Sequence, residues 1–447
     1  MTPNGMGWII VDSLDTLMLM NLTSRLSNAR AWMSTKLDYD QDKEVNTFET
    51  TIRMLGGLLS AHYLSTTFPD MAPLAEDDEE TLGEDLYLEK AKDLADRIMG
   101  AFESDSGVPY ASVNLKTLQG VPSHDDAGAS STAEAATLQL ELKYLSKLTG
   151  ETFYWEKAEK VMQVIDDNGM EDGLLPIYIY ASTGTFRGNN IRLGSRGDSY
   201  YEYLIKQYLQ TSKQEPIYEQ MWDQALAGVR KHLITYSKPS KFTVLGERQA
   251  GLQEGLTPKM DHLVCFMPGT IALGATGGIP EKEARKLPTW NAKKDKEMEL
   301  ARELTQTCWG MYKAMKTGLA AEITHFSVDN PPLPESAAHN PPKSFDESED
   351  AAWREDYVVK SNDRHNLQRP ETVETLFYMW RITGDEIYRE WGWEMFRSFM
   401  KHTDVEGGGF TSLHNADVIP AEKADNMESF WLVSGSYIKN QMRNTDE

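Results

Sequence analysis

The chain has 447 residues, 40% hydrophobic and 26% charged, an ordinary balance for a soluble globular protein and long enough for two or three average domains or one large helical toroid. A formal net charge of −24 with no basic stretch excludes nucleic acid as a partner and favours a neutral or cationic ligand, or a bound divalent cation. No run of about 18 apolar residues is present, so neither a bilayer span nor membrane contact is expected.

In chain order, the first apolar stretch, Gly7 to Met20, is broken by Asp12 and Asp15 and has no basic leader, so it does not read as a targeting segment. Asn21-Leu22-Thr23 is a glycosylation sequon, a triplet common by chance. Thr51 to Ser65 predicts a helix whose glycine pair, Gly56-Gly57, lets another element approach closely. Glu49 and Arg53 stand one helical turn apart, either as a surface ion pair or as an arginine positioning a carboxyl for an acid step. Pro69 to Asp85, acidic and poor in large apolar residues, reads as a flexible excursion. Ser131 to Thr149 predicts one helix, opened by Ser/Thr caps and stopped at Gly150, with Glu134 and Glu141 on a shared face. Trp155 to Ile165 is helical, and Leu174 to Tyr180 is strand-like.

Asp198 to Leu209 predicts a helix carrying Asp198 and Glu202 one turn apart, like charges that disfavour it unless a cation or proton intervenes. Tyr218 to Thr235 and Glu297 to Lys316 follow as helices, Glu322 to Ser327 as a short strand, and Asp329 to Asp350 as a second flexible excursion. Pro370 marks the first turn of a helix from Glu371 to Thr383, where Glu371 and Glu374 serve either as dipole caps or in catalysis. Glu386 to His402 is the last helix. His262 reads by default as a satisfied core histidine, and Cys265 and Cys308 as two buried thiols or one disulfide. Tyr200, Tyr201, Phe266, Phe430 and Trp431 either stack on sugar rings or fill the core. Walker-type glycine loops, HExxH helices and metal-spaced cysteine pairs are absent from the sequence.

Paired helices without a fixed-period repeat predict an all-α barrel of helical hairpins rather than a solenoid. Carboxylates recurring within segments that otherwise read as buried predict one shared acidic pocket, because such groups are rarely buried unless paired, metal-bound or catalytic. A pocket of that kind suits glycoside hydrolysis, where one carboxyl protonates the leaving oxygen and another activates water or attacks.

The motifs themselves resemble those of the class I α1,2-mannosidases, glycoside hydrolase family 47, from about Gly7 to Leu432. The resemblance is carried by Asp12-Ser13-Leu14-Asp15-Thr16-Leu17, Phe48-Glu49 through Arg53, Leu55 through Ala61, Ser131-Thr132-Ala133-Glu134 and Gly173-Leu174-Leu175-Pro176. It continues with Gly197-Asp198 through Leu204, His262 through Phe266, Asp363-Arg364-His365-Asn366-Leu367-Gln368-Arg369-Pro370-Glu371, and Met427-Glu428-Ser429-Phe430. It implies an (α/α)7 barrel spanning residues 1–432 as a single catalytic domain. The implied reaction is calcium-dependent, inverting removal of terminal α1,2-linked mannose from high-mannose N-glycans, within N-glycan processing and glycoprotein quality control.

By the same resemblance Glu49 matches an acid acting through water, Glu322 another proposed acid position, and Asp198 and Glu371 the two candidates for the base. Arg53, Arg196, His262, Arg369 and Phe430 match sugar-binding positions, and Glu134, Glu141, Glu202 and Glu374 match positions that hold calcium-bound waters. Inversion implies acid and base carboxyls about 6.5 to 9.5 Å apart. Arg196 falls where endoplasmic-reticulum members carry arginine, which implies removal of one mannose from the middle branch of the nine-mannose glycan. Cys265 and Cys308 match a disulfide of that subgroup. The motif wording is similar to that of fungal members, and a monomer in the endoplasmic reticulum or secretory lumen is implied.

After Leu432 the resemblance stops. Val433-Ser434-Gly435-Ser436-Tyr437 replaces the family's next helix, Ser434 stands where the family has a glutamate, and Asn444-Thr445 comes too early to be the family's directly calcium-ligating threonine. Residues 433–447 therefore read as a non-family tail, and a barrel lacking its first helix and its closing elements is expected to have weak or no activity. The rival expectations are a non-cleaving glycan-binding protein of the same fold, acting in disposal of misfolded glycoproteins, and a processing enzyme of another α/α-toroid family.

Overall fold

A computed structural model describes residues 5–71, 86–406 and 408–427. Among these residues the chain forms two compact units: one runs to Met170 and takes in Pro176–Gly188, and the other comprises Glu171–Leu175 and the chain from Asn189 onward.

The first unit contains α1 Trp8–Asp12, α2 Leu14–Leu19, α3 Thr23–Lys36, α4 Thr47–Glu49, α5 Gly56–Thr67, α6 Leu86–Ile98, α7 Thr132–Ala135, α8 Gln139–Thr149 and α9 Thr152–Asp167. Its helices pack as neighbours, α2 on α5, α5 on α6 and α8 on α9. Helical spacing places Ala91, Leu94, Ala95 and Ile98 on one face of α6, and Ala158, Val161 and Ile165 on one face of α9, all fully buried. Each large side chain so buried stabilises the fold by about 1.5–3 kcal/mol. The glycine pair is used once for close approach: a Cβ on Gly57 would lie 2.8 Å from the Val11 carbonyl oxygen, so α1 crosses α5 backbone to side-chain-free backbone.

Two sequence expectations change here. The helix expected from Thr51 begins at Thr47 and passes through a π-helical turn, Thr50–Leu55, before α5. The single helix expected from Ser131 to Thr149 is broken into α7 and α8, so Glu134 and Glu141 do not share a face. The break is made by side chains competing for backbone groups: Thr137 Oγ1 donates to the Ala133 carbonyl at 2.6 Å and Gln139 Oε1 accepts from Leu138 N–H at 2.9 Å. Gly150 does end α8, at φ 77°. Of the expected strand Leu174 to Tyr180, Tyr178–Ile179 pairs with Ser130–Ser131. Residues 72–85 of the expected Pro69–Asp85 excursion lie outside the described residues.

The second unit contains α10 Asp198–Gln210, α11 Pro216–His232, α12 Met267–Thr276, α13 Glu281–Ala284, α14 Ala292–Lys313, α15 Glu371–Thr383 and α16 Ile387–His402. Helix α12 lies against α14 and α15, and α15 against α16. The 23-residue stretch His262–Ala284 is long and apolar enough to cross a membrane by length and composition, which corrects the expectation that no such run exists. Its most apolar window is 67% buried within the protein, the profile of a core helix. Tyr218–Thr235 ends as a helix at His232, and Thr235 joins the strand Ile234–Tyr236 instead, paired with Thr243–Leu245.

A three-stranded antiparallel sheet orders Tyr357–Val358, Ile323–Phe326 and Lys259–Asp261, with Lys259 opposite His325 and Asp261 opposite Ile323. Cys265 and Cys308 form a disulfide with Cα atoms 5.8 Å apart, tying the turn before α12 to α14. The stretch Asp329 to Asp350 has no regular element, but it is pinned rather than loose: Lys241 pairs with Asp329 at 2.7 Å, Arg230 with Glu335 at 2.5 Å, and Phe345 stacks on Phe242 at 5.6 Å.

Candidate active site

In the first unit the acidic residues gather around the start of α4. Asn46 caps that helix by accepting the Glu49 N–H at 2.7 Å, and its amide donates to Glu134 at 3.1 Å, so one residue links two predicted site carboxylates. Arg53 donates to Glu49 at 2.6 Å across the π-helical turn, with the Glu49 side chain 37% exposed and that of Arg53 only 14%. Glu141 is buried on α8. Asp12, which the sequence offers as an interruption of an apolar stretch and as part of a family motif but not as a site residue, belongs to this group: burial pushes its carboxyl up to about 7, opposed by Arg53 and reinforced by Asp15 and Glu49.

In the second unit Asp198 opens α10, its carboxylate accepting the Ser199 N–H at 2.9 Å. Arg196, two residues earlier, holds φ 74°, a left-handed conformation uncommon for a non-glycine residue, in the turn where Asp198 N–H reaches Gly194 O at 3.1 Å. One turn into α10, Glu202 pairs with the buried ammonium of Lys206, which also meets Glu374 at 3.3 Å. This lysine supplies a cation to Glu202, whereas Asp198 acts on Arg369; the lysine was missed although it stands four residues after Glu202. Burial pushes Glu374 well up from its ordinary range, against the pull of Lys206.

Glu322, just before the central strand of the sheet, pairs with Arg369. Burial opposes the Arg369 charge, but Glu322, Glu371 and Asp198 outweigh it and keep the guanidinium cationic. Glu371, at the first turn of α15, is pushed by burial up to about 7, eased by Arg369 and raised further by Glu322 and Asp198. Its Oε2 is buried without a hydrogen-bond partner. His262 is fully buried, its Nε2 2.9 Å from the Tyr312 hydroxyl and 3.1 Å from Thr372 Oγ1; burial and Arg369 hold the imidazole neutral, down to about 3. The default reading of a satisfied core histidine holds at Nε2 only, because Nδ1 is buried without a hydrogen-bond partner; the ring supports the residue that follows Glu371. Phe430 lies outside the described residues.

The second unit therefore brings Asp198, Glu322, Arg369 and Glu371 into electrostatic contact, and Glu371 in turn acts on Glu374, which Lys206 and Glu202 also face. A carboxyl held near neutrality beside other carboxylates exchanges protons at physiological pH, as acid–base catalysis requires.

Residues 1–435 match the family model of glycosyl hydrolase family 47. The chain belongs to this family. The family 47 chain is 50% identical over 441 residues to a mannosyl-oligosaccharide 1,2-alpha-mannosidase of Candida albicans, covering 96% of this chain and 71% of the relative. It is 45% identical to the endoplasmic reticulum mannosyl-oligosaccharide 1,2-alpha-mannosidase of Saccharomyces cerevisiae, covering 96% and 77%. Its structure matches that of the α-1,2-mannosidase from Trichoderma reesei with a TM-score of 0.80 at 25% identity, over 98% of this chain and 85% of that one. The fungal, mannosidase-like wording of the motifs agrees with these relatives, and the fold class is that of the α/α barrels.

Proposed function

We propose that this family 47 chain is a mannosyl-oligosaccharide 1,2-α-mannosidase, an inverting hydrolase that removes terminal α1,2-linked mannose from high-mannose N-glycans during glycoprotein quality control. It works as a monomer in the lumen of the endoplasmic reticulum, through one barrel domain spanning residues 1–432. Glu49 acts as the acid through a water, steered by Arg53; Glu322 is the other acid position. Asp198 or Glu371 activates the attacking water. Arg369 and Arg196 orient sugar hydroxyls. The reading is carried by Glu371, a carboxyl raised to about 7 among ionisable neighbours within a helix whose motif is the family's.

Calcium fits as an ion held through water. Among the described residues no group of three His, Cys, Asp or Glu side chains is placed to bind a metal directly. Glu202, Glu374 and the unpartnered Oε2 of Glu371 offer hard oxygen acceptors near a single buried lysine, a set suited to the hydration shell of a hard cation. Glu134 and Glu141 take the same water-holding role. When bound, calcium supplies positive charge that favours the ionised carboxylates.

The test is release of free mannose from a nine-mannose glycan, with proton NMR following the first-formed anomer. The β-anomer supports inversion, the α-anomer excludes it, and glycan binding without release selects the non-cleaving rival. Calcium addition to chelated protein, followed by thermal melting, is expected to raise Tm; an unchanged melt refutes the metal assignment.

A further inference from the structure

The three-stranded sheet of the second unit closes one side of a cavity of about 650 Å³ lined by Lys259, Ile323, His325, Lys360, Ser361, Asn362 and Asp363. That volume falls within the roughly 300–1,000 Å³ of small-molecule pockets. Six of its seven lining side chains carry polar or charged groups, while Ile323 and the stems of the long side chains give it an apolar surface as well. The charge balance disfavours an anion. Lys259 is already met by two carboxylates, Asp261 at 2.6 Å and Glu247 at 2.9 Å, and His325 faces Asp363 at 3.5 Å. Burial and the Lys360 charge also hold His325 below its ordinary range, towards the neutral ring. Two lysines thus stand against three carboxylates. This mixed lining suits a neutral, hydroxyl-rich ring, whose hydroxyls meet an ammonium, an amide, a hydroxyl and a carboxylate while its apolar face meets the hydrocarbon surface.

The cavity is continuous along the backbone with the acid cluster. Ile323 directly follows Glu322, the Glu322 N–H donates to the His365 carbonyl at 2.8 Å, and the segment that begins at Asp363 leads to Arg369. Lys259 also reaches the turn before α10: its partner Asp261 accepts the Ser195 N–H at 3.3 Å, next to Arg196, and a Cβ on Gly194 would meet that carboxylate at 2.4 Å. We propose that this cavity is a sugar subsite that takes neutral hexose units of the glycan beyond the one removed, gripped by Lys360, Ser361, Asn362 and Asp363. The assignment rests on the mannosidase reading for which sugar enters, and on the cavity alone for where it sits.

The experiment compares the wild type with a Lys360→Ala/Asn362→Ala double variant, both sites being exposed, on α1,2-mannobiose and on the nine-mannose glycan. The ratio of kcat/KM for the long over the short substrate is expected to fall about tenfold, the loss of one or two hydrogen bonds. A ratio that moves less than twofold overturns the subsite. Calorimetry with the eight-mannose product separates this from the hydrolase reading. If the wild type cleaves neither substrate, the mannosidase reading fails by itself. The subsite then stands when the double variant binds the product about tenfold more weakly, and falls when the two proteins bind it equally.

Discussion

Glu371 holds its proton to about 7, whereas an unstrained glutamate loses it near 4.3. Between those values the folded chain binds more protons than the unfolded one, so this group's contribution makes stability fall as pH rises through the interval, and the loss persists above it. Glu371→Gln removes the penalty. The variant should therefore match the wild type in stability at pH 4 and exceed it at pH 8 by on the order of 3 kcal/mol before any metal compensates, read as a higher Tm at pH 8 only. A Tm difference that is the same at both pH values contradicts the assignment. The same substitution should lower kcat by about 10²–10⁴-fold, the usual contribution of a positioned acid or base. Sequence alone exposed this residue, because a carboxylate one position after a proline at a helix start is visible as a pattern. It did not expose Asp12, whose significance lies in its burial beside Arg53.

At the level of elements, α10 and α15 were legible in full at their acidic ends, since glycine and proline punctuate them and their apolar residues recur at helical spacing. Helix α12 was not, because nearly all its side chains are buried and an all-round apolar helix has no polar face to set a period. The break between α7 and α8 was hidden too, being made by individual side-chain hydrogen bonds. Lys206 joins α10 to α15, and removing a buried partner leaves charges uncompensated. Lys206→Met should destabilise the protein by about 3–5 kcal/mol, and Lys206→Met with Glu374→Gln should recover part of that, read by chemical denaturation. A double variant no more stable than the single one refutes the coupling. The disulfide has a parallel role: Cys265 O accepts from Thr375 on α15 at 2.5 Å, and its partner Cys308 lies in α14. Cys265→Ala/Cys308→Ala should cost about 2–4 kcal/mol and lower kcat with it, whereas unchanged melting shows the bridge to be dispensable.

For the whole molecule, the −24 net charge faces a substrate class without charge. Recognition by hydrogen bonds to hydroxyls rather than by steering predicts that kcat/KM on the neutral glycan stays within about twofold between 50 and 500 mM salt. A steep salt dependence points to a charged ligand instead. The family was legible from motif order alone, while the division of the described residues into two units was not, because no compositional linker marks it.

That division has a consequence for synthesis. The described part of the first unit is incomplete until Gly188 has been made, yet Glu171–Leu175, translated before it, belongs with the second. There Gly173 abuts the backbone of Ala225, and Gly228 abuts the Asp172 carbonyl, so these five residues wait for α11. A nascent chain leaving the ribosome must therefore close one unit while a loop within it stays unclaimed for some forty further residues, and a pause in translation between these points is where premature collapse would do most harm.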